Sequence, residues 1–333
     1  MQFSILNQSP LLENHNIQES LAHTTELAKK ADDLGYRRYF VSEHHNMDHI
    51  IGTSPEVLVT HLLSQTRRIK LGAGGVMLSH HNPFHVAEQF QLISHLAPER
   101  VDLGVGKAPG GTPLATEALQ EELKDDIGTF NDRFLKLKSY IDGTHDNAHS
   151  LQISLDTKSS RPSIFLLGGS PDSAQFAAKN KANFIFAYFI KNDPDLLKEV
   201  VNVYRKHYPE GEIIVALSVL AVDNEEDKAL LRKENELYTI TFQSGKTLTV
   251  INQKQVNDFI KNTDEKVEVN KKEADMIIGN KEEILAALNK LSQDIEINEF
   301  MFHLPTSRSE IRDYTIETLA PNQLRQTEKA GII

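Results

Sequence analysis

Short apolar runs alternate with amphipathic helical stretches from the third residue onward, and this rhythm restricts the fold more than any other feature of the chain. Strand-length segments separated by helix-length crossovers imply parallel strands, because antiparallel neighbours need only tight turns between them. Phe3 to Leu6 reads as the first strand. The helix after it carries Ile17, Leu21, Leu27, Ala28, Ala31 and Leu34 on one face, with Asn16 as N-cap, Glu19 at the third helical position and Gly35 as terminator. Tyr39 to Val41, Ile69 to Val76, Arg100 to Val105, Ile164 to Leu167, Phe184 to Tyr188, Ile213 to Val222 and Phe300 to His303 supply seven more strands. Eight strands in this alternation predict an α/β fold of the (β/α)8 TIM-barrel class.

Residues 223 to about 280 break the rhythm with a charged helical piece and a hairpin, Thr239–Phe242 and Leu248–Ile251 around Gln243–Lys246. They read as an insertion between strands seven and eight of a single domain spanning residues 1–333. A lid, a partner-contact element and a passive excursion all fit such an insertion.

The composition excludes several function classes. Net charge is −11, and no Lys/Arg block recurs beside aromatic residues, so a nucleic-acid partner has no electrostatic footprint here. Met1 to Pro10 lacks the charged start and apolar core of a signal peptide, and no apolar run approaches the roughly 18 residues of a membrane span. A cytoplasmic protein is expected. With no Cys, thiolate metal sites and Cys nucleophiles are excluded.

Three segments at strand ends concentrate the chemistry-bearing residues. Ser42-Glu43-His44-His45 follows the second strand, where side chains of a barrel emerge on the catalytic face. A histidine there can serve as a general base near neutral pH, tuned by the adjacent acid. The alternative is that the imidazoles cap or underpin a loop. A metal site is disfavoured, because neighbouring residues on a strand face opposite sides and His44 and His45 cannot easily converge. Leu71-Gly72-Ala73-Gly74-Gly75-Val76 would let a flat ligand approach the backbone, or would relieve a crowded barrel interior; its spacing is not that of a dinucleotide fingerprint. Gly168-Gly169-Ser170-Pro171-Asp172-Ser173 presents amides and hydroxyls at a helix start, the arrangement that binds phosphate, although an ordinary Ser-Pro cap explains it as well. Lys107 is placed to supply a compensating cation. The tract His80-His81-Asn82-Pro83-Phe84-His85 lacks a partner carboxylate at convincing metal-ligand spacing.

Phe40 to His45, Leu71 to Leu78 leading through Pro83 to Glu88-Gln89, and Arg100 to Gly110, in this order and spacing, resemble the bacterial luciferase-like flavin monooxygenases. The resemblance returns at Leu167 to Ser173. It implies a (β/α)8 barrel that binds reduced FMN at the C-terminal ends of the strands and uses O2 on a small organic substrate, an aldehyde or similar. By the same resemblance His44 is the catalytic residue, and Glu43 belongs with the cofactor-binding set. Ala73 and Gly74 match the family's pair joined by a non-proline cis peptide beneath the flavin ring. Gly168, Gly169, Ser170 and Ser173 fall at the phosphate turn. Lys107 stands where relatives commonly carry Arg, and loses the bidentate grip that Arg offers a phosphate. A loosely held flavin implies supply by a separate flavin reductase, since the chain shows no nicotinamide motif. A homodimer, formed through helices near the strongest match, is also implied. Two rival readings stay open: a deazaflavin-dependent oxidoreductase of the same fold, and a non-catalytic flavin-binding protein.

Overall fold

The computed structural model describes residues 1–121, 123, 128–146, 151, 153, 160–245, 247–250, 256–257, 260–261, 263, 265–293 and 295–322. Eight parallel strands close into a barrel: β1 (Phe3–Asn7), β2 (Arg38–Val41), β3 (Lys70–Met77), β4 (Val101–Gly106), β5 (Ser163–Gly168), β6 (Asn183–Ala187), β7 (Ile213–Ala221) and β12 (Glu299–His303), with β12 returning to β1 and β6 pairing β7. The expected (β/α)8 barrel is therefore the observed one. Each predicted strand lies within a residue or two of its observed bounds.

Helices α1 (Ile17–Leu34), α2 (Pro55–Gln65), α3 (Pro83–Leu96), α4 (Pro113–Gln120), α5 (Phe130–Asp142), α6 (Pro171–Lys179), α7 (Pro194–His207), α8 (Glu225–Glu234), α9 (Lys281–Ser292) and α10 (Ser309–Thr318) accompany the strands. The first is bounded as its sequence signals: Asn16 and Glu19 form a reciprocal capping box, and Gly35, at φ 87°, closes the helix in the left-handed region that glycine occupies freely. The proline at the start of α2 is present, but Ser54 makes no side-chain capping bond there.

The period of two along each strand sorts side chains into two cores. Ile5, Tyr39, Val41, Leu71, Leu103, Val215 and Phe302 pack outward among the helices, whereas Leu6, Phe40, Phe165, Ile185, Ile214, Ala216 and Met301 fill the barrel. Below this inner layer, Arg38 is buried among Asp102, Glu212 and Glu299. Gly104 is required where β3 and β4 run closest, because a Cβ there would sit 2.3 Å from the carbonyl oxygen of Ala73.

After β7 the chain forms α8 and a separate three-stranded antiparallel sheet of β8 (Glu236–Phe242), β9 (Thr247–Val250) and β10 (Val267–Glu273), in the order β10-β8-β9. The expected hairpin is the β8–β9 pair; Lys246 and Ile251 lie outside the described residues. A short strand, β11 (Ile277–Gly279), then extends the top of β7 in parallel. The interpolated segment so rests on the end of the barrel from which β7 emerges. No helix among the described residues is long and apolar enough to cross a membrane.

Candidate active site at the barrel mouth

The alternation that builds the cores continues past the end of β2, and it separates the two residues that the sequence places side by side. His44 is half-buried at the mouth. Its backbone N–H donates to Gly52 O at 2.9 Å, and its Nδ1 lies 3.3 Å from the carbonyl oxygen of Gly110. Burial pushes its pKa down, a shift reinforced by His49 and His45 and partly opposed by Gly110 and Glu43. The imidazole is therefore neutral at pH 7, the form a base requires.

Glu43 goes elsewhere. Its carboxylate is fully buried and accepts from His45 Nε2 at 2.8 Å, His81 Nε2 at 2.7 Å and the backbone N–H of Met77 at 2.8 Å. Expected among the cofactor-binding residues, it offers no free face to a ligand; it ties the end of β2 to the end of β3. Burial alone would raise its pKa, but the His81 and His45 contacts and the Met77 amide prevail and lower it. The partner shift on His81 is upward, its desolvation being outweighed by the Glu43 bond.

The pH dependence of this contact follows from both shifts. Glu43 contributes stability above its ordinary 4.5 and loses it as pH falls through its depressed folded value. His81 contributes below its ordinary 6.5 and loses it as pH rises through its elevated folded value. The contact is strongest between these ordinary values. Glu43→Gln is expected to cost on the order of 2 kcal/mol, with the largest deficit between pH 4.5 and 6.5. Urea melts across pH 4 to 9 check this; a deficit independent of pH would refute the ionic account.

The glycine run at the end of β3 contains a cis peptide between Gly74 and Gly75. The Ala73–Gly74 pair expected to carry it is thus one residue early. The side-chain period explains the difference: Ala73 packs in the outer core, whereas a Cβ on Gly74 would meet Leu6 and Phe40 inside the barrel, and one on Gly75 would meet the Gly104 carbonyl oxygen at 2.7 Å. The pairing of β3 with β4 shifts register between Ala73 and Val76.

At the start of α6, Ser170 and Ser173 cap one another reciprocally. A Cβ on Gly169 would meet nothing within 4 Å, whereas one on Gly168 would strike Ser173 Oγ at 2.3 Å. The turn therefore has an open face at Gly169 and a packed one at Gly168. Lys107 follows β4, whose Val105 pairs with Leu166, so it sits level with Gly168 on the neighbouring strand. It is exposed. These residues share one side of the mouth.

The other side holds a cavity of about 460 Å3, lined among others by Gln8, His49, Phe189, Ser218, Lys272 and His303. Sequence reasoning missed these. Gln8 and His303 follow the apolar cores of strands one and eight, so the rule that catalytic side chains sit at strand ends would have found them. Gln8 joins the cavity to the predicted base: its Nε2 lies 3.3 Å from His44 Nε2, and its Oε1 lies 2.9 Å from His303 Nε2. Ser218 Oγ lies 3.1 Å from His303 Nδ1. Burial, Arg312 and His44 push the His303 pKa down to about 3. Among the described residues no group of three or more His, Asp or Glu side chains is placed to hold a metal ion.

Comparison with known proteins matches the chain to one family. An N-acetyl-S-alkylcysteine monooxygenase of Bacillus subtilis (strain 168) is 37% identical over 328 residues, covering 96% of this chain and 97% of its own. Apo-MsnO8 has the same fold at a TM-score of 0.76 and 24% identity, covering 96% of this chain and 97% of its own. So has the FMN-bound oxygenating constituent of 3,6-diketocamphane monooxygenase from Pseudomonas putida, at 0.66 and 15% identity, covering 96% and 97%. The model of the luciferase-like monooxygenases matches residues 1–290, and the chain belongs to that family.

Proposed function

We propose that this chain is a flavin-dependent monooxygenase that binds reduced FMN across the barrel mouth and uses O2 to oxygenate a small organic substrate in the cavity beside it. The observation that carries this reading is His44, neutral and half-buried at the barrel mouth, with its Nε2 3.3 Å from Gln8, which lines the cavity.

The residues present fit the group. The Gly74–Gly75 peptide, whose Cα positions admit no side chain, would support a ring. Gly169, Ser170 and Ser173 would meet the phosphate with amides and hydroxyls, and the exposed Lys107 would supply its countercharge. When bound, the reduced flavin supplies the electrons that activate O2. His44 takes or returns a proton at Nε2, and the barrel walls restrict water. Glu43 holds the loop ends together from beneath.

For the substrate, the 37% identical relative directs attention to S-alkylated N-acyl cysteines. The cavity supports such a molecule: Leu11, Phe189 and Met276 offer apolar surface for an alkyl tail, and His49, beside the Lys272–Asp275 ion pair, offers a polar contact for its head. Because Lys107 grips a phosphate at a point rather than through a fork, reduced flavin is expected to exchange with a separate reductase. We further propose a cytoplasmic homodimer joined through α2 and α3, where Val57, Leu92 and Leu96 stand 66%, 62% and 67% exposed.

The test is an anaerobic titration with FMN, oxidised and then reduced, followed by admission of O2 with an S-alkyl-N-acetylcysteine present and product detection by mass spectrometry. Tight binding of reduced FMN and addition of one oxygen atom from labelled O2 support the proposal. Binding without product favours a flavin-binding protein. No binding in either redox state, with binding of a deazaflavin instead, overturns the FMN assignment.

A further inference from the structure

We propose that Gln8 is a positioning residue: through a one-directional hydrogen-bond chain running Ser218 → His303 → Gln8 → His44 → Gly110, it fixes His44 as the tautomer with a proton on Nδ1 and a lone pair on Nε2. The role of every atom follows from its chemistry. A carbonyl oxygen only accepts, so His44 Nδ1, 3.3 Å from Gly110 O, carries the proton. The amide nitrogen of Gln8 only donates, so His44 Nε2, 3.3 Å away, accepts. The amide oxygen of Gln8 only accepts, so His303 Nε2, 2.9 Å away, donates. Neutral His303 then accepts at Nδ1 from the Ser218 hydroxyl, 3.1 Å away. The Gly110 carbonyl fixes the last link, and the other three can reverse only together.

The surroundings keep His303 in the neutral form that the chain needs. It is packed beside the ring of Phe189, with centroids 5.3 Å apart, and Arg312 on α10 opposes a second positive charge there. Arg312 is itself locked, donating to Leu304 O at 2.7 Å and Asn7 Oδ1 at 2.8 Å. Around His44, the like charges that protonated His45 and His49 would carry oppose its protonation, whereas Glu43 favours it.

The chain makes protonation of His44 a concerted event. A proton arriving at Nε2 sets an N–H against the N–H of Gln8. Relief requires the Gln8 amide to turn, which would aim its N–H at the N–H of His303. His303 must then carry its single proton on Nδ1, and the Ser218 hydroxyl must turn to accept it. One proton enters, at His44, while two side chains and a tautomer rearrange. A cavity ligand that contacts Gln8 or His303 therefore also sets how readily His44 takes a proton.

This inference rests on His44 being the working base, but its first test needs neither flavin nor turnover. Long-range proton–nitrogen NMR on the full-length protein, with 15N-labelled histidine, reads each tautomer directly. Above the His44 midpoint, His303 is expected as the Nε2–H form and His44 as the Nδ1–H form; below it, His303 is expected to switch to the Nδ1–H form. Either opposite tautomer above the midpoint overturns the proposal. In Gln8→Glu, the carboxylate accepts from both rings, and the His44 midpoint is expected to rise by about one pH unit. In Gln8→Leu, His44 is expected to become a mixture of tautomers while the thermal transition stays cooperative. An unmoved midpoint in the first variant and an unmixed Nδ1–H form in the second would each sink the positioning role. Failure to bind flavin with these tautomers intact would instead discard the proposed function and leave the chain of hydrogen bonds standing.

Discussion

His44→Ala is expected to lower oxygenation of substrate by about 10²- to 10⁴-fold, the range for loss of a positioned acid–base group, while leaving reduced-flavin affinity within a few-fold of the original. The separation follows from geometry. The residues proposed to hold the cofactor lie at the ends of β3, β4 and β5, and His44 lies beyond β2. The pH profile adds a second readout. Because burial holds the His44 pKa below its ordinary 6.5, the acid limb of substrate turnover is expected to inflect below that value and to disappear in the alanine variant. Stopped-flow turnover between pH 5 and 9 checks both. An alanine variant within tenfold of the original at every pH would remove His44 from the chemistry.

Arg38→Met is expected to produce the largest loss of stability, roughly 3 to 5 kcal/mol, because it leaves buried carboxylates without their cation. Arg38 is 1% exposed, its Nε donates to Asp102 at 2.8 Å, and its other nitrogens reach Glu212 and Glu299. Glu299 is 1% exposed and also accepts from Ser4. Arg37 stands 3.5 Å from Glu299, too far to replace the lost hydrogen bonds. Burial already raises the Glu299 pKa, in spite of Arg38. A carboxyl whose folded pKa exceeds its unfolded value binds more protons when folded, so its stability contribution falls as pH rises. The deficit of Arg38→Met is accordingly expected to be greatest at pH 8 and to shrink toward pH 5 as Glu299 takes up a proton. Thermal melts at the two values decide the matter, with a drop of roughly 5 to 15 °C expected at the higher one. A drop of under 2 °C at pH 8 would show that the three acids are accommodated without this arginine.

The local signals of this chain were legible because each depends on neighbours in sequence. The capping box at Asn16 and Glu19, the terminating Gly35, the Ser-Pro start of α6 and the strand-helix alternation all involve residues a few positions apart. The family resemblance added His44, and the structure places it at the mouth with its Nε2 3.3 Å from the Gln8 amide nitrogen. Glu43 was read as an acid beside the predicted base and one of the cofactor-binding set, not as a tie between strand ends, because its partners His81 and Met77 are 38 and 34 residues away. The cis bond was placed one residue early because strand phase, rather than glycine content, decides which peptide faces the interior.

By itself the sequence determined the class of fold, its eight strands and the strand ends where chemistry would gather, since periodicity and capping are local properties of a chain. Only the tertiary structure decided that Gln8, Ser218 and His303 belong with His44, because barrel closure brings together residues as far apart as 295 positions. Sequence proximity carries no information about such pairs. Closure of β12 against β1 does, by setting the register in which Leu6 stands level with His303.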